Sequence, residues 1–217
     1  MVIVVKKIVD LSIPITNQTP IYPGDPKPCI HPAATFEEEG YHVSHLKIGS
    51  HTGTHVDAPY HFTNTGQKID EVPLQKFIGP GVVFDVTDKG EKEPIVLDDI
   101  KNQLNQCTEG IIVLFHTGWS RYVATPKYFK HPYIGAEVIE ALLEKGVRTF
   151  LIDALNIDHP DGESFIGHEL ITGVDGIIGE NFTNFDQIDF PNPLIISLPL
   201  KLEGGDGSPV RAVAVQT

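Results

Sequence analysis

Cysteine is scarce in this 217-residue chain, with only Cys29 and Cys107 present. Two isolated thiols exclude a disulfide framework and a thiolate zinc site, and they read as reduced thiols of a cytoplasmic protein. Basic residues are also few: 16 Lys+Arg against 29 Asp+Glu leave a formal net charge of −13. That balance excludes binding to nucleic acid through the overall field, because neutralising phosphates needs clustered Lys and Arg. No apolar run approaches the ~20 residues that span a bilayer, so no membrane partner is expected. The start, Met1-Val2-Ile3-Val4-Val5-Lys6-Lys7, puts its charges after a very short apolar run, the reverse of a secretory signal. A Gly-x-Ser-x-Gly elbow is missing, which counts against a serine hydrolase. Gly204-Gly205-Asp206-Gly207 lacks the strand, spacing and helix of a phosphate loop and reads as a turn.

What is present describes an ordinary folded chain. At 41% hydrophobic and 21% charged residues, it has the composition of a soluble globule, and its length fits a single domain spanning 1–217. A chain of this size buries roughly 70% of its unfolded surface and needs no metal merely to stay folded. The Pro-rich stretch from Pro20 to Pro32 reads as a loop. Strand patterns follow at Tyr41–Ser50, Gly81–Val86, Gly110–Phe115, Val147–Ile152, Gly176–Gly179, Leu194–Leu200 and Val210–Val215. Helical patterns lie at Val96–Gln106, at Gly135–Lys145 with Gly146 as its C-cap, and at about Ser164–Ile171. Helices alternate with only some strands. This predicts an α/β fold, a single domain with a mixed, partly barrel-like β-sheet flanked by a few helices.

Histidine is where the composition departs from the ordinary. Ten are present, and His42, His45, His51, His55 and His61 fall within twenty residues. Histidine is the commonest metal ligand and titrates near neutral pH. In the run Gly49-Ser50-His51-Thr52-Gly53-Thr54-His55-Val56-Asp57-Ala58-Pro59-Tyr60-His61, a helix is excluded by Gly53, Pro59 and the β-branched residues. A strand instead sends residues 51, 53, 55 and 57 to one side. His51, His55 and Asp57 then converge, with Gly53 leaving an opening for an ion, and Pro59 ends the strand so that His61 lies on the next turn. Two imidazoles and a carboxylate leave an open coordination position, the mark of a catalytic metal. Such a metal lowers the pKa of a bound water towards ~7 and supplies hydroxide at neutral pH, while His61 moves the proton.

The run His-Thr-Gly-Thr-His-Val-Asp-Ala-Pro-Tyr-His resembles the His-x-Gly-Thr-His-x-Asp-x-Pro-x-His signature of the cyclase-like metal-dependent hydrolases, a family that includes bacterial kynurenine formamidase and isatin hydrolase. The resemblance extends to Asp10-Leu11-Ser12, Tyr22-Pro23-Gly24-Asp25, Leu114-Phe115-His116-Thr117-Gly118-Trp119 and Asp206-Gly207-Ser208-Pro209-Val210-Arg211. It implies a swivelling β/β/α fold. By the same resemblance, His51, His55 and Asp57 hold a first metal, and Asp57 and Glu180 bridge to a second that His168 also binds. It makes His61 the proton donor and acceptor, and it places Tyr22 at the substrate, where the kynurenine formamidases carry tryptophan. Asn156 stands where relatives tend to carry serine. The implied activity is hydrolysis of a small aromatic or cyclic amide, with an arylformamidase acting on N-formylkynurenine as the best match. Zn2+, one or two per chain, is the expected cofactor, and Mn2+ suits the oxygen-rich second site. A homodimer or homotetramer is implied as well. Two alternatives stay open: an isatin-type ring-amide hydrolase with one metal, and a catalytically silent member that binds a metal or small ligand.

Other polar residues read as structural. Asp153, Asp158 and Asp161 near His159 form an acidic, solvated loop. Trp119 is a core residue with Arg121 on the surface. His42 and His45 lie on opposite faces of one strand, so at most one approaches the metal.

Overall fold

A computed structural model describes residues 4–162 and 164–217, so the opening apolar run is described only from Val4. Nine strands form one mixed sheet. Their spatial order is Lys7–Asp10, Val213–Gln216, Leu194–Ile196, Ile78–Asp85, Ile112–His116, Thr149–Ile152, Ile177–Glu180, His55–Asp57 and Gly207–Pro209. The four strands from Ile78–Asp85 to Ile177–Glu180 run parallel. The strands flanking them on either side are antiparallel. The sheet curls into a partial barrel, the mixed α/β architecture that the element pattern predicts.

The parallel strands are apolar because both of their faces are covered. Val113, Phe115, Phe150 and Ile152 join one core cluster with Val138, Ile139 and Leu142 of the helix Ala136–Glu144. The alternate residues Ile112, Leu114 and Leu151 join the other cluster, with Leu11, Phe182 and Ile195. This two-residue alternation splits Ile112–His116 and Thr149–Ile152 between the two layers. Gly146 ends the helix at a φ of 88°, which a residue with a side chain adopts only under strain.

Several predicted boundaries shift for identifiable reasons. Val96–Gln106 is helical only at Leu97–Ile100, followed by a 3-10 turn at Leu104–Gln106. Beyond Ile100 the residues Lys101, Asn102 and Gln103 offer nothing apolar to bury, and a short helix without a packed face does not persist. The supposed loop of Pro20–Pro32 gives way to a strand, Cys29–Ala34, which pairs with Val43–Lys47 in a hairpin outside the main sheet. A two-stranded ribbon has free edges, so Pro32 is tolerated there, beside an irregular register between Pro32 and Ala34. Gly207, read as part of a turn, instead opens Gly207–Pro209, the last strand of the sheet.

Candidate active site

The site lies where the parallel run of strands gives way to antiparallel neighbours. Strand His55–Asp57 lies between Ile177–Glu180 and Gly207–Pro209, with His55 opposite Glu180 and Pro209 and with Asp57 opposite Ile178 and Gly207. Val56 turns into the core, so His55 and Asp57 share the other face. The extended segment starts only at His55. Gly53 sits at a φ of 70°, and the chain from His51 to Thr54 is a turn. The strand expected to carry His51 is therefore corrected: His51 reaches Asp57 by folding back, not by strand periodicity. Nor does Gly53 open a space for an ion, because a Cβ there would lie 2.9 Å from Ile15 Cγ1. Thr54 locks the turn by accepting the Ile13 N–H and donating to the Asn181 carbonyl.

Around Asp57 the donors close in from four elements. His51 donates from Nδ1 to Asp57 Oδ1 at 2.7 Å, and from Nε2 to Asp206 Oδ2 at 3.0 Å. His55 donates from Nδ1 to the Gly53 carbonyl, which leaves its Nε2 3.3 Å from Asp57 Oδ1 and 3.6 Å from Glu180 Oε2. His168, on the helix Ile166–Thr172, places Nε2 3.6 Å from both Asp57 Oδ2 and Glu180 Oε1. His61 sits on the turn Pro59–His61, as Pro59 predicts, with its ring 4.1 Å from that of His51 and its Nδ1 3.6 Å from Asp206 Oδ2. Two triads with metal-binding spacing result, His51–Asp57–His61 and His55–Asp57–Glu180, with Asp57 common to both.

Asp57 and Glu180 are only 1% and 4% exposed. Burying two carboxylates side by side is costly unless positive charge compensates. Burial and the neighbouring Asp57 charge push Glu180 up to about 8. For Asp57 burial works upward, but His51, His55 and His168 outweigh it and hold the group well below the usual carboxylate range. Burial also pulls the two ligand-spaced imidazoles down, yet Asp57 and Asp206 raise His51 to about 11, and Asp158, Asp57 and Glu180 raise His168 to about 10. The site thus collects cations, and protons are the ones it holds most simply. Among the described residues, Asp57 Oδ2 is the buried side-chain polar atom that has no hydrogen-bond partner. That oxygen lies 3.6 Å from His168 Nε2, while Oδ1 of the same carboxylate lies 3.3 Å from His55 Nε2, and Glu180 is within reach of both imidazoles; this donor set fits a divalent ion, whose ligands are these atom types.

Above this floor opens a cavity of about 250 Å3 walled by Tyr22, Phe62 and Phe165. The Phe165 ring packs edge-on to Tyr22 at 6.3 Å and at 5.4 Å from Phe62, which in turn lies 4.4 Å from the His168 ring. Tyr22 is therefore at the cavity, together with two aromatic residues that sequence reasoning missed.

The acidic loop is corrected as well. Asp153 and Asp158 are buried rather than solvated: Asp153 accepts from Thr117 and Gly118, and Asp158 from Gly167 and His168. Only Asp161 is exposed, paired with Lys92. Asp206, read as a turn residue, touches His51. Its neighbour Gly207 makes room for that contact, since a Cβ there would lie 2.8 Å from His51 Cε1. His42 and His45 both lie in the exposed hairpin region, where His45 stacks on His31.

The Cyclase family profile matches residues 9–159. The chain belongs to the Cyclase family. A kynurenine formamidase from Bacillus cereus is 33% identical over 208 residues, covering 94% of this chain and 95% of that protein. Among solved structures, isatin hydrolase A from Labrenzia aggregata, bound to benzyl benzoate, superposes with a TM-score of 0.89 at 25% identity, covering 97% of this chain and 94% of that one. A structure described as a potential metal-dependent hydrolase with cyclase activity is 29% identical, with a TM-score of 0.79, and covers 97% of this chain and 98% of that one. Cyclase-family membership thus joins a metal-competent cluster to an aromatic cavity within one fold.

Proposed function

We propose that this chain is a metal-dependent hydrolase that opens the C–N bond of a small aryl amide, with N-formylkynurenine the substrate that fits best. The observation that carries this reading is the buried Asp57–Glu180 pair, faced by His55 and His168 and lying directly beneath an aromatic-walled cavity. His51, His55 and Asp57 would hold a first ion, with His51 releasing one of the ring protons it shares with Asp57 and Asp206, and Asp57, His168 and Glu180 would hold a second. Zn2+ is the preferred ion and Mn2+ the alternative, at one or two per chain. When bound, such an ion polarises the scissile carbonyl and acidifies a water molecule. With Nδ1 turned towards Asp206, His61 keeps Nε2 to accept the proton of the attacking water and return it to the leaving nitrogen. Tyr22, Phe62 and Phe165 hold the aryl ring by edge and face contacts.

The first and last described strands, Lys7–Asp10 and Val213–Gln216, pair with each other, which supports a single domain over residues 1–217. A homodimer or homotetramer is supported by the hairpin outside the main sheet, where Phe36, Tyr41, Val43 and Leu46 are all exposed. The exposed free thiol of Cys29 supports a cytoplasmic location.

Isatin-type ring opening with a single metal is the second reading, favoured by the closer superposition on isatin hydrolase A. Reconstitution with Zn2+ or Mn2+, followed by assays on N-formylkynurenine, formanilide and isatin, decides between them. Turnover of the formyl-aryl amides with two ions per chain supports the first reading. Turnover of isatin alone with one ion supports the second. A fully loaded protein that hydrolyses none of the three overturns both and leaves a silent ligand-binding member.

A further inference from the structure

Asp158 lies on the edge of the His168 ring opposite the Asp57–Glu180 pair. Its Oδ2 accepts from His168 Nδ1 at 2.6 Å and from the His168 backbone N–H at 3.0 Å, while Oδ1 accepts the Gly167 N–H at 2.6 Å. One buried carboxylate thus satisfies two of the first backbone donors of the helix Ile166–Thr172 and the side chain of the residue the helix presents to the site. Gly167 is what permits the approach, since a Cβ there would lie 2.8 Å from Asp158 Oδ1. The carboxylate is held from behind as well, because Asp158 donates its own N–H to Asn156 Oδ1 at 2.7 Å. Between them, Ile157 donates its N–H to Glu180 Oε1 at 3.0 Å. The three residues Asn156-Ile157-Asp158 therefore steady both His168 and Glu180.

We propose that Asp158 is a positioning residue that fixes the His168 tautomer and ring orientation, so that Nε2 is the nitrogen offered to the cation. An ionised carboxylate only accepts, so the ring nitrogen facing it carries the hydrogen, and the lone pair of the neutral imidazole falls on the opposite nitrogen. That nitrogen is the one 3.6 Å from Asp57 Oδ2 and from Glu180 Oε1. Carboxylates standing behind a ligating imidazole are the usual way of holding it in register. Asn156 gains a role by the same argument, since its side chain fixes the turn that presents Asp158.

This inference rests on His168 being a ligand, and the test separates the two. Zinc affinity of Asp158→Asn, His168→Ala and the wild-type chain is measured by chelator competition, alongside thermal unfolding of each metal-free protein. Asp158→Asn keeps an acceptor for the Gly167 N–H but offers amide hydrogens to His168 Nδ1, which drives the ring hydrogen onto Nε2. Its expected effect is a 10–100-fold weaker site in a protein that still unfolds cooperatively without metal, at a lower temperature because the His168 N–H and ring lose their acceptor, with Asp158→Glu recovering part of the zinc affinity. Wild-type zinc affinity in Asp158→Asn, while His168→Ala loses an ion, overturns the positioning role and leaves His168 a ligand. Full zinc binding by His168→Ala overturns the ligand reading and the inference with it. Should Asp158→Asn fail to fold, 15N chemical shifts of the histidines in the wild-type zinc form decide. Nδ1–H with zinc on Nε2 of His168 supports the role, and zinc on Nδ1 ends it.

Discussion

Histidines gather in two regions of this chain, and the two have little else in common. In the hairpin Cys29–Lys47, His31 and His45 stack ring on ring at 5.1 Å, and His42 packs on Phe36, all on an exposed surface. At the end of the sheet, His55 and His168 are buried against Asp57 and Glu180, and His51 is wedged between Asp57 and Asp206. Imidazole density is similar in both. The difference is the buried carboxylate, which carries charge that the fold must compensate and so gives the second region its demand for a cation.

That contrast yields an ordered set of outcomes. Asp57→Ala removes the acceptor shared by both triads, and turnover is expected to fall by ~1,000-fold or more, the several kcal/mol a Lewis acid contributes. A variant with wild-type turnover breaks the comparison outright. His61→Ala is expected to lose ~100- to 10,000-fold in turnover while keeping its metal. Loss of the metal instead, by elemental analysis, reassigns His61 to the His51–Asp57 ligand triad.

A smaller effect concerns pH. Glu180, His168 and His51 all sit above their ordinary values, at about 8, 10 and 11. The metal-free folded state therefore holds more protons than the unfolded chain between about pH 5 and 10. Stability from the two imidazoles is complete below about pH 6.5, and it declines as pH rises through 10 and 11. Raising the pH through 8 also charges Glu180 beside Asp57, which destabilises further. Thermal melts of metal-free protein are expected to fall steadily from pH 6 to pH 10, and added zinc to raise them more at the alkaline end, where it no longer competes with protons. A metal-free melting temperature that rises over that range contradicts the cation-demand argument. The smallest effect sharpens the contrast from the other side: the double variant His31→Ala, His45→Ala is expected to keep metal content and turnover within about twofold, as exposed positions away from a site usually do.

Much of the fold was legible because burial on both faces of the parallel strands leaves a plain apolar pattern, as in Ile112–His116 and Thr149–Ile152. Val96–Gln106 misled because a polar run after an acidic first turn imitates a helix without giving it a face to bury. In the site, His55 and Asp57 follow from strand periodicity alone, whereas His51 arrives through a turn at Gly53 that periodicity cannot register. Glu180 and His168 entered only through resemblance to the family. A carboxylate closing an apolar strand reads as solvated, and nothing local says that His55 will lie across from it. Asp206 meets His51 across 155 positions, and Asp158 reaches His168 from a loop, so neither leaves a spacing to detect.

Anomalous diffraction from crystals soaked in zinc or manganese tests the whole account most directly. It predicts one or two ion peaks within about 2.0–2.2 Å of donors drawn from the carboxylate oxygens of Asp57 and Glu180 and ring nitrogens of His51, His55 and His168. Peaks confined to the hairpin around His31 and His45, with none between Asp57 and Glu180, would contradict it.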